Sequence, residues 1–247
     1  MKYTLDIDDI RRVLIRMEET IIFSLIERAQ FGRNAAIYQP GRFGDAIGDD
    51  ESLVGYVLHE TEKVHATMRR YTAPEEEPFT DGLPAPILPP RGPMVQAPLH
   101  PNTINVTGRI RRTYEDDIVP GLCAGDDDDG HYGSSSVADV ACLQAIAQRV
   151  HYAKFVAESK YDRDREPFNA AIRNGDRDAL MRLITVPEVE TAVLQRVRLK
   201  AETYGQDPGR ETSSPAIDAQ LVANLYGDFI IPLSKEVEVL YLLERAR

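Results

Sequence analysis

The stretch from Ser136 to Tyr161, SVADVACLQAIAQRVHYAKFVAESKY, constrains this chain more than any other. Leu143, Ile146, Val150, Ala153 and Ala157 recur at spacings of 3 and 4, so the stretch reads as one long helix with a buried stripe. Arg149 and Lys160 stand eleven residues apart, close to three whole turns, and leave the same side of that rod. Two cations so placed can grip one small anion. Burying them without partners is costly. The plainer alternative, both at the edge of the stripe with their heads in water, stays open.

Helical spacing returns on both sides of the rod, and the alternation of a strand is almost absent. Asp8 to Phe31 repeats through Ile10, Leu14, Met17, Ile21 and Leu25, with Asp6 and Asp8 as candidate caps. Gly32 to Asp50, with Pro40 and four glycines, reads as a loop. Ser52 to Tyr71 is helical through Leu53, Tyr56, Val57, Val64 and Met68, ending in the pair Arg69 and Arg70. Ile104 to Val119 is a short helix stopped by Pro120, and Asp164 to Ile184 two short helices broken near Asn174 and Gly175. A helix runs from Pro187 to about Tyr204, Gly205 to Pro215 is a loop, and a last helix, roughly Asp218 to Arg245, bends at Pro232. The expected fold class is therefore all-α: one multi-helix bundle over residues 1–247 with a long central and a long C-terminal helix.

Nine of the sixteen prolines fall between Pro74 and Pro101, which makes residues 72–103 a long irregular loop. The elements on either side are alike in type, so a loop packed across one bundle is preferred to a linker between two domains. The net charge of −11 speaks against a nucleic-acid or anionic-membrane partner. No run of 18 apolar residues is present to span a bilayer. MKYTLDIDDI resembles neither a signal peptide nor a transit peptide, and the expected location is the cytoplasm. Cys123 and Cys142 read as reduced thiols, a disulfide between them being the minor alternative. In GDDDDGHYG, Gly125 to Gly133, the aspartates lack the alternation of a calcium loop, and a solvated turn is favoured.

No GxSxG, P-loop, GxGxxG or CxxC occurs. Glu62 and His65 form a single Glu-x-x-His, short of the pair that a di-metal bundle needs, so no metal site is expected. What remains is a set of charges at positions read as core-facing: Arg11, Arg149, Lys160 and Glu190, with Ser234 and Glu238 one turn apart on the last helix. Three cations, two carboxylates and a hydroxyl describe a site for a dianionic small molecule. Taken singly, each is an ordinary surface or ion-pair residue, and periodicity does not bring them together.

RRVLIRMEETIIFSLIERAQF, CLQAIAQRVHYAKFVAESKY and IIPLSKEVEVLYLLERAR closely resemble the eukaryotic all-helical chorismate mutases of the allosteric fungal type, in the same order over nearly the whole chain. The resemblance implies rearrangement of chorismate to prephenate, on the shikimate route to phenylalanine and tyrosine, by a homodimer with no cofactor. It implies that Arg11, Arg149 and Lys160 hold the substrate carboxylates, with Lys160 also reaching the ether oxygen. Glu190 then binds the substrate hydroxyl, Ser234 stands for a family threonine, and Glu238 hydrogen-bonds the ether oxygen. Val186 replaces a polar asparagine contact. Arg69, Arg70, Gly133 and Ser134 match the effector site for tyrosine and tryptophan at the dimer interface, although Gly130 and His131 replace an asparagine pair and Asp218 the switch threonine. Asp218 reads equally well as a helix cap. A non-catalytic relative kept as a binding protein is the alternative, and it would have been expected to lose active-site cations.

Overall fold

Asp6 starts the first helix, α1 (Ile7–Arg28): its side chain accepts from the Asp8 N–H at 2.9 Å, while Asp8 and Asp9 place negative charge at the positive end of the helix dipole. Of the two aspartates expected as caps, Asp6 is the one used. The structure is a computed structural model that describes residues 5–89, 99–204 and 217–245, and every regular element among those residues is helical. The expected loop after α1 contains two short turns of helix, Ala35–Tyr38 and Gly44–Ile47. Ser52 caps α2 (Leu53–Thr67), accepting from Gly55 at 3.0 Å. This helix ends four residues before the expected Tyr71, because Arg69 turns left-handed at φ 65° and a 3₁₀ turn, Arg70–Thr72, follows. Arg69 and Arg70 therefore sit in a turn rather than on a helix.

Helix α3 (Thr107–Thr113) passes through a π turn, Tyr114–Ile118, and resumes as Val119–Leu122. The central rod is α4 (Tyr132–His151) followed by α5 (Ala153–Arg163), divided only at Tyr152, whose N–H still bonds Gln148 O at 2.9 Å. Gly175, left-handed at φ 62°, separates α6 (Arg165–Asn174) from α7 (Arg177–Ile184), and α8 (Pro187–Tyr204) begins after Val186. The expected loop at residues 205–215 lies outside the described residues. Asp218 caps α9 (Ala219–Asn224), accepting from Gln220 at 2.8 Å. A second π turn, Leu225–Ile230, leads into α10 (Ile231–Glu244).

Pro120 and Pro232, each in a helical run that continues past it, are absorbed in one way. Each is the second residue after a π turn. A proline offers no N–H to the carbonyl four residues back and crowds it, and the extra residue of a π turn relieves that crowding. Pro120 therefore does not stop its helix at Val119, which continues to Leu122.

The rod lies against α1 and α2, with α10 packed on α5 and α8 on α1 and α9. Leu143, Ile146 and Val150 are fully buried in it, each contributing roughly 1.5–3 kcal/mol. Cys142 shares that stripe as a free thiol, which burial pushes up to about 12, and Cys123 is also free. Arg28 of α1 bonds Asp139 of α4 at 2.5 Å in full burial, and Tyr38 and Tyr114 donate to the same carboxylate. The described part of the proline-rich loop is tied across the bundle. Buried Glu62 accepts from the backbone of Phe79 and Thr80 and from the Thr80 hydroxyl. Buried Lys154 bonds Glu77 at 2.7 Å, and Tyr241 accepts from His100 N–H at 2.7 Å.

Candidate active site

Arg11, Arg149, Lys160, Glu190, Ser234 and Glu238 all line one cavity of about 220 Å³. It is closed by α1, the α4–α5 rod, α8 and α10, with apolar walls from Leu14, Val156, Val189, Val193 and Ile231. Such a surround lowers the local dielectric and strengthens every charge interaction within it. A larger groove of about 470 Å³ between α1, α3 and the second π turn carries only Asp117 and Asp228 as charges and offers nothing to an anion.

Arg149 is 7% exposed; among the described residues its side chain makes one hydrogen bond, from Nη1 to Ser234 Oγ at 3.4 Å, and its Nε has no partner. Burial pushes its pKa down, against the opposing pull of Tyr226, Glu18 and Glu238. A guanidinium stays charged even so. Its unmet Nε donor is an unbalanced cost that an anion would offset. Lys160 Nζ donates to Ile184 O at 2.6 Å and to Glu238 Oε2 at 2.9 Å, leaving a third N–H. Both cations thus reach one cavity despite the break at Tyr152.

Glu238 is 5% exposed. Burial pushes its carboxyl above the ordinary range, and the charge and hydrogen bond of Lys160, with Arg149 and Lys235, offset this only in part. Ser234, one turn earlier on α10, is equally buried. Glu190 accepts from Lys235 Nζ at 2.9 Å. Arg11 differs from its expected core-facing place: its side chain is 54% exposed at the rim and paired with Asp8 at 3.0 Å. Its position beside Ile10 puts it at the margin of the buried face of α1, where a long side chain finds water. Val186 lines the wall as an exposed apolar residue.

Two cations in the wall escaped the sequence reading, Lys235 and Arg163. Both carried a signal. Ile231, Ser234, Lys235 and Glu238 follow the i, i+3, i+4, i+7 pattern of one helix face, and Arg163 is one turn beyond Lys160. Behind the cavity, buried Glu18 is held by Arg196 at 2.6 and 2.8 Å.

Arg70 bonds Glu76 at 2.9 Å and Gln144 at 3.1 Å, and Arg69 bonds Pro89 O. Gly133 and Ser134 lie exposed at the start of α4, ten residues before Gln144 and therefore about 15 Å away along the axis. One chain does not bring the two pairs together. Asp126 to Asp129 are exposed, with Asp128 bonded to Gly130 N–H at 3.1 Å and to His131 at 2.7 Å.

A family model described as chorismate mutase type II matches residues 131–239. Chorismate mutase 1, chloroplastic, of Petunia hybrida is 49% identical over 98% of this chain and 76% of its own length. The chorismate mutase of Schizosaccharomyces pombe is 45% identical over 98% of this chain and 96% of its own. Among solved structures, AtCM1 with tyrosine in its allosteric site superimposes with a TM-score of 0.88 at 46% identity, over 100% of this chain and 98% of that one. Aro7p chorismate mutase of Candida albicans, in complex with L-Trp, gives 0.88 at 39% identity over 98% and 92%.

Proposed function

The chain belongs to the chorismate mutase family, and from that premise we propose that the cavity between α1, α5, α8 and α10 is where it rearranges chorismate to prephenate. The observation that carries the assignment is Arg149, a buried guanidinium whose Nε has no partner among the described residues, in the same wall as the Lys160–Glu238 pair. The reaction is an intramolecular exchange of one C–O bond for one C–C bond. It transfers no proton and needs no nucleophile, so positioning and electrostatics must supply the rate.

Arg149 and Lys160, with Arg11 turning in from the rim, hold the two carboxylates and keep the flexible substrate in its compact reactive shape. Glu190 accepts from the substrate hydroxyl. Lys160 and protonated Glu238 donate to the ether oxygen as its bond breaks and charge grows there, each such donor being worth about 3 to 4 kcal/mol. Ser234 keeps the hydroxyl that fixes the Arg149 fork. With every one of these charges in place, nothing supports a non-catalytic reading. The test is loss of chorismate followed by its ultraviolet absorbance. Turnover that Arg149→Gln lowers by about a hundredfold or more supports the site, and turnover unchanged by that substitution removes it.

The regulatory site is assembled from two subunits in this reading. Val64, Met68 and Ile87 leave an exposed apolar patch beside Arg69 and Arg70, with exposed Val137 next to Ser134 on α4, which is the composition of a surface that another protein covers. A homodimer closing on that patch lets Arg69 and Arg70 of one subunit approach Gly133 and Ser134 of the other, forming a pocket for an aromatic amino acid. AtCM1 holds tyrosine or phenylalanine in its allosteric site, and Candida albicans Aro7p binds tryptophan. Light scattering should show a dimer that Val64→Glu splits, and calorimetry should show heat with tyrosine, tryptophan or phenylalanine. Monomer in the first, or no heat with all three, refutes the corresponding part. A single-domain chain acting in the cytoplasm completes the proposal, and cell fractionation checks its location.

A further inference from the structure

We propose that Lys235 is a positioning residue for the substrate hydroxyl, acting through Glu190; this rests on the assignment of the cavity made above. Its backbone is on the face of α10 that carries Ile231, Ser234 and Glu238, so it lines the same wall. Ser234 and Glu238 meet Arg149 and Lys160 on the central rod, whereas Lys235 reaches Glu190 on α8 at 2.9 Å. The pair spans the cavity.

A stability role explains little. The side chains of Lys235 and Glu190 are 21% and 32% exposed, and a partly wetted lysine–carboxylate pair adds little to folding. Its meaning lies in the charge of the cavity. The wall holds five cations, Arg11, Arg149, Lys160, Arg163 and Lys235, against the carboxylates Glu190 and Glu238. Each carboxylate has its own lysine at 2.9 Å. A carboxylate is needed as the acceptor for a hydroxyl, yet bare it repels a dianion. Lys235 cancels that repulsion. By occupying Oε1 of Glu190 it also fixes the carboxylate plane and leaves Oε2 as the acceptor.

The experiment is a double-mutant cycle on the full-length protein with kcat and KM for chorismate as readouts. Lys235→Met is expected to raise KM about tenfold with a smaller fall in kcat, through the uncancelled charge and the freed rotor. Lys235→Arg, which keeps charge and reach, should return KM to within about twofold of the starting value. In a Glu190→Gln background there is no carboxylate for Lys235 to hold in place, so adding Lys235→Met should raise KM only by the loss of its own attraction for the dianion, about threefold against about tenfold in the parent. The same rise in both backgrounds means that Lys235 acts on the substrate by its own charge or contact and overturns the role through Glu190. An unchanged KM in Lys235→Met, with Glu190→Gln impaired, overturns the role of Lys235 alone. An unimpaired Glu190→Gln overturns the assignment of Glu190 and this proposal with it. A melting temperature that falls in Lys235→Met with no rescue by arginine would make the pair structural and likewise overturn it.

Discussion

Replacing Glu238 by glutamine separates a proton-bearing donor from a permanent one. Glu238 is 5% exposed, and burial raises its carboxyl more than Lys160, at 2.9 Å, together with Arg149 and Lys235, lowers it. A bound dianion adds negative charge and raises it further. In the proposed role, protonated Glu238 donates to the ether oxygen; ionised, it would turn an acceptor toward an atom gaining negative charge. One donor of this kind is worth about 3 to 4 kcal/mol, or some 10²–10³ in rate. The donor is present at pH below the Glu238 pKa of the complex, so kcat should fall about tenfold per pH unit above it until some hundredfold or more is lost. Glu238→Gln donates at every pH. Its profile should be flat, within about tenfold of the parent in acid and above it in alkali. Loss of chorismate absorbance from pH 5 to 9 measures both. Stability supplies a second sign: a carboxyl whose pKa is raised by folding favours the folded state while protonated, and that contribution is lost as pH rises from the ordinary value of 4.5 through the raised one. The melting temperature of the parent should therefore drop relative to the glutamine variant over that window. Identical pH dependence of kcat in the two proteins refutes the role of Glu238.

Arg149→Met should abolish turnover while leaving the melting temperature unchanged or higher, because it removes a buried cation with an unmet donor; a large loss of stability would show that Arg149 serves the fold. Arg163 is exposed at the cavity mouth of a chain with net charge −11, so Arg163→Gln should lower kcat/KM about threefold at low ionic strength with kcat unchanged, and the difference should vanish near 0.5 M salt. Glu62→Ala strands two backbone donors and a hydroxyl of the proline-rich loop, which should cost about 3 kcal/mol and lower the melting temperature by some 6–12 °C in a thermal scan.

Helix periodicity made most of the fold legible. The stripe from Leu143 to Ala157 placed the rod because burial on one face imposes spacings of 3 and 4, whatever packs against it. Prolines misled where tertiary packing could compensate: Pro120 reads as a stop, yet a π turn at Tyr114–Ile118 carries the helix past it. The end of α2 was missed because no local rule announces a left-handed arginine at residue 69. Glu62 shows the same limit from another side. Its spacing to His65 suggests a metal motif, and its actual partners, the Phe79 and Thr80 backbone, come from a loop 17 and 18 residues away.

The sequence by itself determined that Arg149, Lys160, Ser234 and Glu238 stand on the inward faces of α4, α5 and α10, though not Arg163 and Lys235 beside them, and, through its resemblance to a family, the chemistry proposed for them. Convergence was decided by the tertiary structure alone. Whether Arg149 meets Ser234, whether Lys160 finds Glu238, and whether Lys235 turns to Glu190 depends on how α4, α5, α8 and α10 are laid together, across separations of 85, 78 and 45 residues. Periodicity is a property of one helix and reports only which face is buried. The depth of each charge was likewise a matter of packing: Arg149 is sealed in at 7% exposure, while the Arg11 side chain, equally cationic and beside an equally apolar stripe, rests in water at the rim.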